Sequence, residues 1–306
     1  MTATAFLLIL LSLLLHSLWH FLCKSSRKAS MTFFALFSTA LLLTVFSIGV
    51  WSGVLFQVPW RVFRYAMLGA AFGVAGEAGL ILAYRTSDIS LVYPMATALP
   101  VLLTLLVTRL CGWGEPLSAA ATAGMVVIFC GCLAMSLSGG DPGSSLRQKF
   151  TAMRKSLPGI FITAVSTTGY TVFDSFGIRN IMEFAAGGNP ILTAAAYSTC
   201  RESVAMVSLW LIVGVNCRRA RGREELKTLR RSAAPYLAGV FAALSYLLVL
   251  VAMLHVTNVS FVQAFRQLSL PVSAALGFII LKEKPSTLRL GALALILAGL
   301  GMCIMR

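Results

Sequence analysis

The fold of this chain is decided by residues 84–100, which read YRTSDISLVYPMATALP. An apolar helix ends here in a short polar segment, and a second apolar helix restarts with Pro94 and Pro100. Proline lacks a backbone donor and frees the carbonyl one turn earlier, which lipid tolerates only where protein or a water-lined cavity receives it. The stretch therefore predicts a membrane helix that borders a cavity.

The composition places this helix in a polytopic membrane protein. Of the 306 residues, 58% are hydrophobic and 11% are charged, against about 25% charged in an average soluble domain. Mean hydropathy is +0.87, and a membrane-spanning helix needs about 20 apolar residues. We therefore predict an all-α membrane protein with ten transmembrane helices. The windows are 4–23, 31–52, 62–84, 90–110, 117–138, 157–178, 190–215, 234–255, 260–281 and 287–305.

Motifs for catalysis, metal binding and nucleotide binding are absent from the sequence. It contains no His-Glu-x-x-His zinc motif, no Gly-x-x-x-x-Gly-Lys phosphate loop and no Gly-x-Ser-x-Gly elbow. The seven cysteines lack metal-ligand spacing. The first window lacks a basic leader and a cleavage site, so we interpret it as a retained helix. We predict no enzyme activity, no metal and no cofactor.

The net charge of +15 arises mainly from basic residues between the windows. The positive-inside rule places the loops richest in arginine and lysine in the cytoplasm and both termini outside. The basic segment 216–233 is expected at anionic lipid headgroups, where each basic residue contributes roughly 1 kcal/mol. Nucleic-acid binding is not expected, because no aromatic interleaving or soluble fold accompanies these charges. The segments 139–156 and 216–233 show no apolar periodicity and are predicted as connecting loops.

A weak internal repeat divides the chain into residues 1–138 and 157–306, joined by the basic loop 139–156. The motif DISLV at 88–92 matches NVSFV at 258–262, at a spacing of 170. Glu115 and Gly131 match Glu283 and Gly299 at a spacing of 168. Because each half holds an odd number of helices, the two copies enter the membrane in opposite senses. The sequence therefore predicts two inverted five-helix repeats, with a substrate site between them near the midplane.

Three stretches resemble the drug/metabolite transporter superfamily, in its EamA-type branch of ten-helix carriers. The AYRTSDISLVYP pattern at 83–94 resembles the junction of its third and fourth helices. Residues 281–286, LKEKPS, followed by Gly291 and Gly299, resemble its last hairpin. The HSLWH segment at 16–20 resembles a first-helix signature of a subgroup that usually has asparagine at the last position. That subgroup comprises the membrane proteins associated with phosphonate utilisation.

The resemblance implies a secondary transporter of the bacterial cytoplasmic (inner) membrane that works by alternating access. Well-understood ten-helix members place both termini in the cytoplasm, opposite to the orientation that the charge count favours. The substrate implied is a small organic metabolite, and a homodimer is one assembly compatible with the fold.

Polar side chains inside the predicted spans are the candidate site residues, because such groups are costly in lipid and usually face the bundle interior. Several share a helix face at spacings of three or four residues. Glu77 and Asp174 are the proton-coupling candidates. The substrate-binding candidates, expected to converge on one pocket, are His16, Trp19, His20, Glu77, Tyr84, Tyr93, Thr97, Tyr170, Arg201, Gln263, Arg266 and Gln267.

Each candidate also has a structural explanation. Glu77 and Arg266 suit ion pairs within the bundle, and Arg201 suits an interhelical contact. The histidines suit proton relay or an interhelical hydrogen bond, and the aromatic residues suit the interfacial belt. The basic candidates favour an anionic or zwitterionic substrate. Two other functions stay open at this point: an integral membrane enzyme acting on a lipid phosphate, and a membrane scaffold that transports nothing.

Overall fold

The computed structural model describes residues 2–25, 30–86, 89–139, 145–280 and 286–305, and within these ranges its regular structure is helical. The all-α prediction is therefore confirmed for the described residues. Two short 3₁₀ helices, Val50–Ser52 and Leu55–Gln57, precede the third α-helix. The α-helices are α1 (Ala3–Ser25), α2 (Met31–Gly49), α3 (Trp60–Thr86), α4 (Ile89–Cys111), α5 (Ala119–Ser138), α6 (Leu146–Phe184), α7 (Pro190–Asn216), α8 (Ala220–Leu229), α9 (Ala234–Met253), α10 (Ser260–Arg266), α11 (Ser269–Ile280) and α12 (Thr287–Ile304).

Eight helices in the described ranges are long and apolar enough to cross a membrane, which agrees with a multi-pass membrane protein. They correspond to eight of the ten predicted windows. The window 157–178 lies inside α6, where hydroxyl side chains lower the hydropathy. The window 260–281 is divided between α10 and α11. Pro271 supplies a physical reason for that division, since it leaves the carbonyl of Gln267 without its usual helical donor.

Both segments predicted as loops contain helix, so that prediction is wrong. Helix α6 begins at Leu146, within the predicted loop 139–156. Helix α8, Ala220–Leu229, occupies the centre of 216–233 and is strongly amphipathic. Its Leu229 is buried, and α8 packs against α2 and α7. The charges of these segments hid short apolar faces that are sufficient for a helix on a protein surface.

Helix α4 is continuous through Pro94 and Pro100, although these prolines predict an opening. The polar segment that precedes it, including Ser87 and Asp88, lies outside the described residues. A proline inside a membrane helix is tolerated when neighbouring helices receive the freed backbone groups. The prolines therefore do not divide α4 into separate helices.

The chain forms two compact units, each built from both halves of the sequence. The first unit contains Met1–Phe6, Ala78–Thr168 and Val256–Arg306. The second unit contains Leu7–Glu77 and Gly169–His255. These units differ in composition from the predicted halves 1–138 and 157–306, whose relationship as repeats stays a prediction.

In the first unit, α5 and α12 pack closely through glycine. A Cβ added at Gly124 would lie 2.5 Å from the carbonyl oxygen of Gly299, and one at Gly299 would lie 2.6 Å from that of Gly124. Further along, Gly131 faces the backbone nitrogen of Ile296, 2.9 Å from its ideal Cβ, and Gly299 faces that of Ile128 at the same distance. The pairs run in opposite directions along the two helices, which are therefore antiparallel. Small residues allow this close backbone approach.

In the second unit, α2 packs against α7 and α9. Near its end, Gly49 abuts the backbone of Ala195, 2.9 Å from an ideal Cβ. Earlier in α2, Thr39 Oγ1 accepts a 2.9 Å hydrogen bond from Trp210 Nε1. Because the earlier α2 residue meets the later α7 residue, these helices are also antiparallel.

Candidate functional site

A buried ion-pair cluster lies in the second unit, where α6 and α7 bring three charged side chains together. Arg201 Nε is 3.0 Å from Asp174 Oδ2. Arg201 Nη1 also donates to Glu202 Oε1, the neighbouring residue on α7. Asp174 has no exposed surface, while Glu202 is 4% and Arg201 8% exposed. The arginine is therefore held by two carboxylates inside the protein.

Two tyrosines complete the hydrogen bonding of Asp174. Tyr197 Oη donates to Asp174 Oδ1 at 2.7 Å, and Tyr246 Oη donates to Asp174 Oδ2 at 2.5 Å. The Arg201 guanidinium carbon lies 5.1 Å from the ring centroid of Tyr246 and 5.4 Å from that of Tyr170. Aromatic faces at this range attract a cation. The two tyrosine hydrogen bonds and the guanidinium stabilise the charged form of Asp174, which its burial disfavours.

Two glycines on α3 leave the space that the Asp174–Arg201 pair occupies. A Cβ on Gly69 would overlap Asp174 Oδ1, and one on Gly73 would lie 3.0 Å from Arg201 Nη2. A Gly-x-x-x-Gly pair in an apolar helix usually marks close helix contact. Here the missing side chains make room for an ion pair rather than for a backbone.

Glu77 lies one turn after Gly73 on α3 and adds a third carboxyl to the same region. Its charge falls within electrostatic range of Glu202 and Arg201. Glu77 Oε2 is buried and has no hydrogen-bond partner among the described residues. The cluster thus contains three carboxyl groups, those of Glu77, Asp174 and Glu202, and one guanidinium.

The candidates of α1 share one face, as their spacing predicts. Trp19 Nε1 donates to His16 Nδ1 at 3.1 Å. The ring centroids of His16 and His20 are 4.6 Å apart, and Trp19 packs on Phe37 with centroids 5.6 Å apart. These half-buried side chains form an aromatic cluster that belongs to the second unit.

A second polar group, in the first unit, surrounds the division between α10 and α11. Gln267 Nε2 donates to the carbonyl oxygen of Thr97 at 2.8 Å and to that of Gln263 at 3.4 Å. Cys132 Sγ lies 3.8 Å from Gln267 Oε1. Thr97 Oγ1 donates back to the carbonyl oxygen of Tyr93 at 3.1 Å. The buried Gln267 therefore ties the divided helix to α4, the helix with the two prolines.

The other candidates of the first unit are half-buried. Tyr84 packs against an apolar core cluster that includes Ala83 and Ile160. Tyr93 lies on α4, and Arg266 is the last residue of α10. The structure thus divides the candidates between the units, and their convergence on one pocket stays a prediction. The second unit holds His16, Trp19, His20, Glu77, Tyr170, Asp174 and Arg201, and the first holds Tyr84, Tyr93, Thr97, Gln263, Arg266 and Gln267.

Tyr246 belongs to the buried cluster and is not among the sequence candidates. Tyr246 is the clearest omission, since α9 is otherwise almost wholly apolar. A hydroxyl in an apolar span needs a partner there. That requirement was a usable signal, although it does not say which partner the hydroxyl finds.

The described side chains include no group of three or more histidine, cysteine, aspartate or glutamate residues arranged to hold a metal ion. Asp174 and Glu202 contact the Arg201 guanidinium, and Asp174 also accepts from two tyrosine hydroxyls.

Comparisons with known proteins show a likeness of fold to solved structures. A scan against protein-family models finds no match, and a search of the curated proteins finds none either. Among solved structures, 27 chains match. One crystal structure of a protein aligns with 100% of this chain and 99% of its own, with a TM-score of 0.64 and 18% sequence identity. At this identity the likeness shows a shared fold alone.

Proposed function

We propose that this protein is a secondary transporter of the EamA-type branch of the drug/metabolite transporter superfamily. It moves a small organic metabolite across the bacterial cytoplasmic membrane by alternating access. The observation that carries the proposal is the hydrogen bond from Gln267, at the division between α10 and α11, to the carbonyl of Thr97. Carriers commonly place their binding sites at interrupted helices, where the backbone is free to contact a ligand.

The same bond supports inverted repeats, because Thr97 and Gln267 are separated by 170 residues, the spacing of the DISLV and NVSFV motifs. Each residue would thus occupy the same position in its own repeat. Equivalent residues meet directly only where they lie close to a two-fold axis.

The contacts between α5 and α12 add independent support. At the repeat spacing of 168, Gly131 corresponds to Gly299, and Ile128 corresponds to Ile296. Gly131 faces Ile296, and Gly299 faces Ile128 at the same distance of 2.9 Å. Reciprocal contacts of this kind are the signature of a two-fold axis. Since the helices are antiparallel, that axis lies across them, as inverted-topology repeats require.

The proposal includes ten spans. The second part of α6 serves as the sixth, and α10 with α11 serves as the ninth. Residues 260–280 form two short helices that together approach the length a bilayer requires, about 20 residues.

The substrate proposed is an anionic or zwitterionic metabolite such as an aminoalkylphosphonate or an amino acid. Arg266 is assigned to its anionic group, because it is the arginine among the candidates that ends α10, next to the division between α10 and α11. Gln263 and Gln267 lie on the same element and offer amide groups to the remaining polar atoms. An arginine suits phosphonate and carboxylate because its planar fork donates two parallel hydrogen bonds.

Anionic lipid headgroups are proposed as the partners of α8. The arginines at 218 and 219, just before α8, and those at 221 and 223 within it are exposed, as is Lys227. Leu229 of α8 is buried. Each basic residue near an anionic surface contributes about 1 kcal/mol.

The proposal is tested by a thermal-shift screen of the detergent-purified protein against aminoalkylphosphonates, amino acids, sugar phosphates, nucleobases and quaternary cations. A ligand at 100 times its dissociation constant should stabilise the native state by about 2.7 kcal/mol. We expect an anionic or zwitterionic ligand to stabilise the wild type and not Arg266→Gln. The matched control is Arg109→Gln, at the exposed end of α4, which should respond like the wild type.

A positive ligand is then loaded into proteoliposomes to measure exchange. Saturable exchange supports a carrier. Binding of cations alone would contradict the anionic substrate class, and conversion of lipid phosphates would favour a membrane enzyme. If nothing binds and nothing exchanges, the scaffold interpretation replaces the carrier.

A further inference from the structure

We propose that the second unit contains a proton-binding site whose proton resides on Glu77, beside the Asp174–Arg201–Glu202 cluster. The use of this proton to drive transport rests on the proposed carrier function. The binding of the proton itself rests only on the composition and geometry of the cluster.

The ionisable groups of the cluster have charges that do not cancel. The cluster brings together the carboxyls of Glu77, Asp174 and Glu202 and the single guanidinium of Arg201. Fully ionised, these groups would carry a net charge of minus two in the interior of one unit. Buried charge without compensation is strongly unfavourable, and carboxyls in such places neutralise by taking up protons.

The surrounding helices supply other titratable groups. The Arg179 guanidinium on α6 donates to the carbonyl oxygen of Met253 at 3.3 Å. On α1, His16 Nδ1 accepts a hydrogen bond from Trp19 Nε1 at 3.1 Å. Other titratable groups on the surrounding helices include His20 and Cys23 on α1, Tyr170 on α6, Cys200 and Tyr197 on α7, and Tyr246 on α9.

The hydrogen bonds of the three carboxyls differ, and this difference indicates which of them holds the proton. Asp174 accepts from two tyrosines and lies against Arg201, and Glu202 accepts from Arg201. These bonds favour the ionised forms. Glu77 Oε2 is buried without a hydrogen-bond partner in the described structure, and a neutral carboxyl tolerates that position far better than a carboxylate does. Glu77 is therefore the group that holds the proton.

A proton is the cation that we propose for this cluster. Within the described residues, no three ligand side chains are placed to coordinate a metal. One more polar atom of the cluster, Arg201 Nε, is buried without an aligned hydrogen bond, although it lies 3.0 Å from Asp174.

A proton must also be able to reach the buried carboxyl of Glu77. His16, His20 and Cys23 are spaced by four and three residues, so they lie along one face of α1. The Cys23 thiol falls within electrostatic range of Glu77, and the rings of His16 and His20 are 4.6 Å apart. Histidine exchanges protons near neutral pH. This face of α1 is therefore the route by which the proton reaches Glu77.

The test is infrared difference spectroscopy of the purified protein in lipid nanodiscs, with and without ¹³C-labelled glutamate. It compares the wild type with Glu77→Gln and Glu202→Gln, and with Glu183→Gln, an exposed carboxyl at the end of α6. We expect a protonated-carboxyl band at neutral pH that shifts with labelled glutamate. Its intensity should fall in Glu77→Gln and persist in Glu202→Gln and Glu183→Gln.

Three outcomes would overturn the proposal: no protonated-carboxyl band, a band that does not shift with labelled glutamate, or a band unchanged in Glu77→Gln. If Glu77→Gln does not fold, the labelled wild type together with Glu202→Gln still decides, because loss of the band in Glu202→Gln would place the proton there. No substrate enters the measurement. A positive band in a protein that binds none of the screened ligands would contradict the carrier and leave the proton site standing.

Discussion

Arg201 Nε lies 3.0 Å from Asp174 Oδ2 in the interior of the second unit, and both partners are almost wholly removed from the surface. Sequence spacing suggested two separate roles for these residues, as a substrate ligand and as a proton-coupling acid. Their pairing makes them parts of one electrostatic cluster, in which the charge of each depends on the other.

Loss of one partner of this pair should destabilise the protein strongly. Asp174→Asn leaves the Arg201 guanidinium with less compensation and weakens two tyrosine hydrogen bonds. Breaking a buried pair costs about 3–5 kcal/mol. The measurement is the free energy of unfolding in mixed micelles, with Glu183→Gln as the exposed control. The double variant Asp174→Asn, Arg201→Gln should recover part of the loss, and strictly additive losses would contradict the coupling.

A methyl group at Gly69 should displace the ion pair. The Cβ of Gly69→Ala would overlap Asp174 Oδ1, so we expect a loss of about 1–3 kcal/mol in unfolding free energy, typical of overpacking. Gly73→Ala should cost less, because the long Arg201 side chain has more freedom to shift. Gly214→Ala on α7 is the control, since no atom lies within 4 Å of its Cβ. Equal melting temperatures for the Gly69 and Gly214 variants would argue against the overlap.

Stability should fall as pH rises, and Glu77 should be responsible for part of the fall. If the native state holds a proton on Glu77 that the unfolded chain releases, the native state binds more protons, and unfolding free energy decreases with pH. A difference of one proton gives a slope of about 1.4 kcal/mol per pH unit. The check is melting temperature against pH for the wild type and Glu77→Gln. The variant should show a flatter profile, whereas parallel profiles would remove Glu77 from the explanation.

Replacement of Gln267 should affect ligand binding more than stability. Gln267→Leu removes the 2.8 Å hydrogen bond to the Thr97 carbonyl, at a cost of about 1 kcal/mol in stability. The same change frees α10 and α11 from α4, so we expect ligand stabilisation in the thermal-shift screen to be lost. Gln57→Leu, at an exposed position in the second unit, serves as the control. Unchanged ligand stabilisation in Gln267→Leu would contradict the assignment of the site.

The candidate residues illustrate where sequence reasoning succeeded. The spacing of His16, Trp19 and His20 placed their rings on one face of α1, because helix periodicity fixes which neighbours meet. Helix spacing could not identify Tyr246, which lies 72 residues from Asp174 in the sequence and donates a hydrogen bond to its carboxylate. Contacts between distant segments depend on how helices pack, which no local pattern encodes.

The glycines of α3 also show which features are visible in the sequence and which depend on tertiary packing. The Gly69-x-x-x-Gly73 pair predicted close contact on one face of α3, and the structure places an ion pair there. The absence of a side chain is visible in the sequence, whereas the group that fills the space is supplied by α6 and α7. The amphipathic α8 was missed because dense charge obscured an apolar face that rests on one buried residue, Leu229.

The sequence by itself determined the all-helical architecture and most of the apolar helices, because apolar length and helix periodicity are local properties. It also placed polar and ionisable side chains inside those helices. Only the tertiary structure decided that Asp174, Arg201 and Glu202 share one buried cluster, with Glu77 nearby. It also decided that Gln267 donates a hydrogen bond to the carbonyl of Thr97 on α4. The reason is physical: a buried charge requires compensation, but the packing of helices far apart in sequence chooses the partner that provides it.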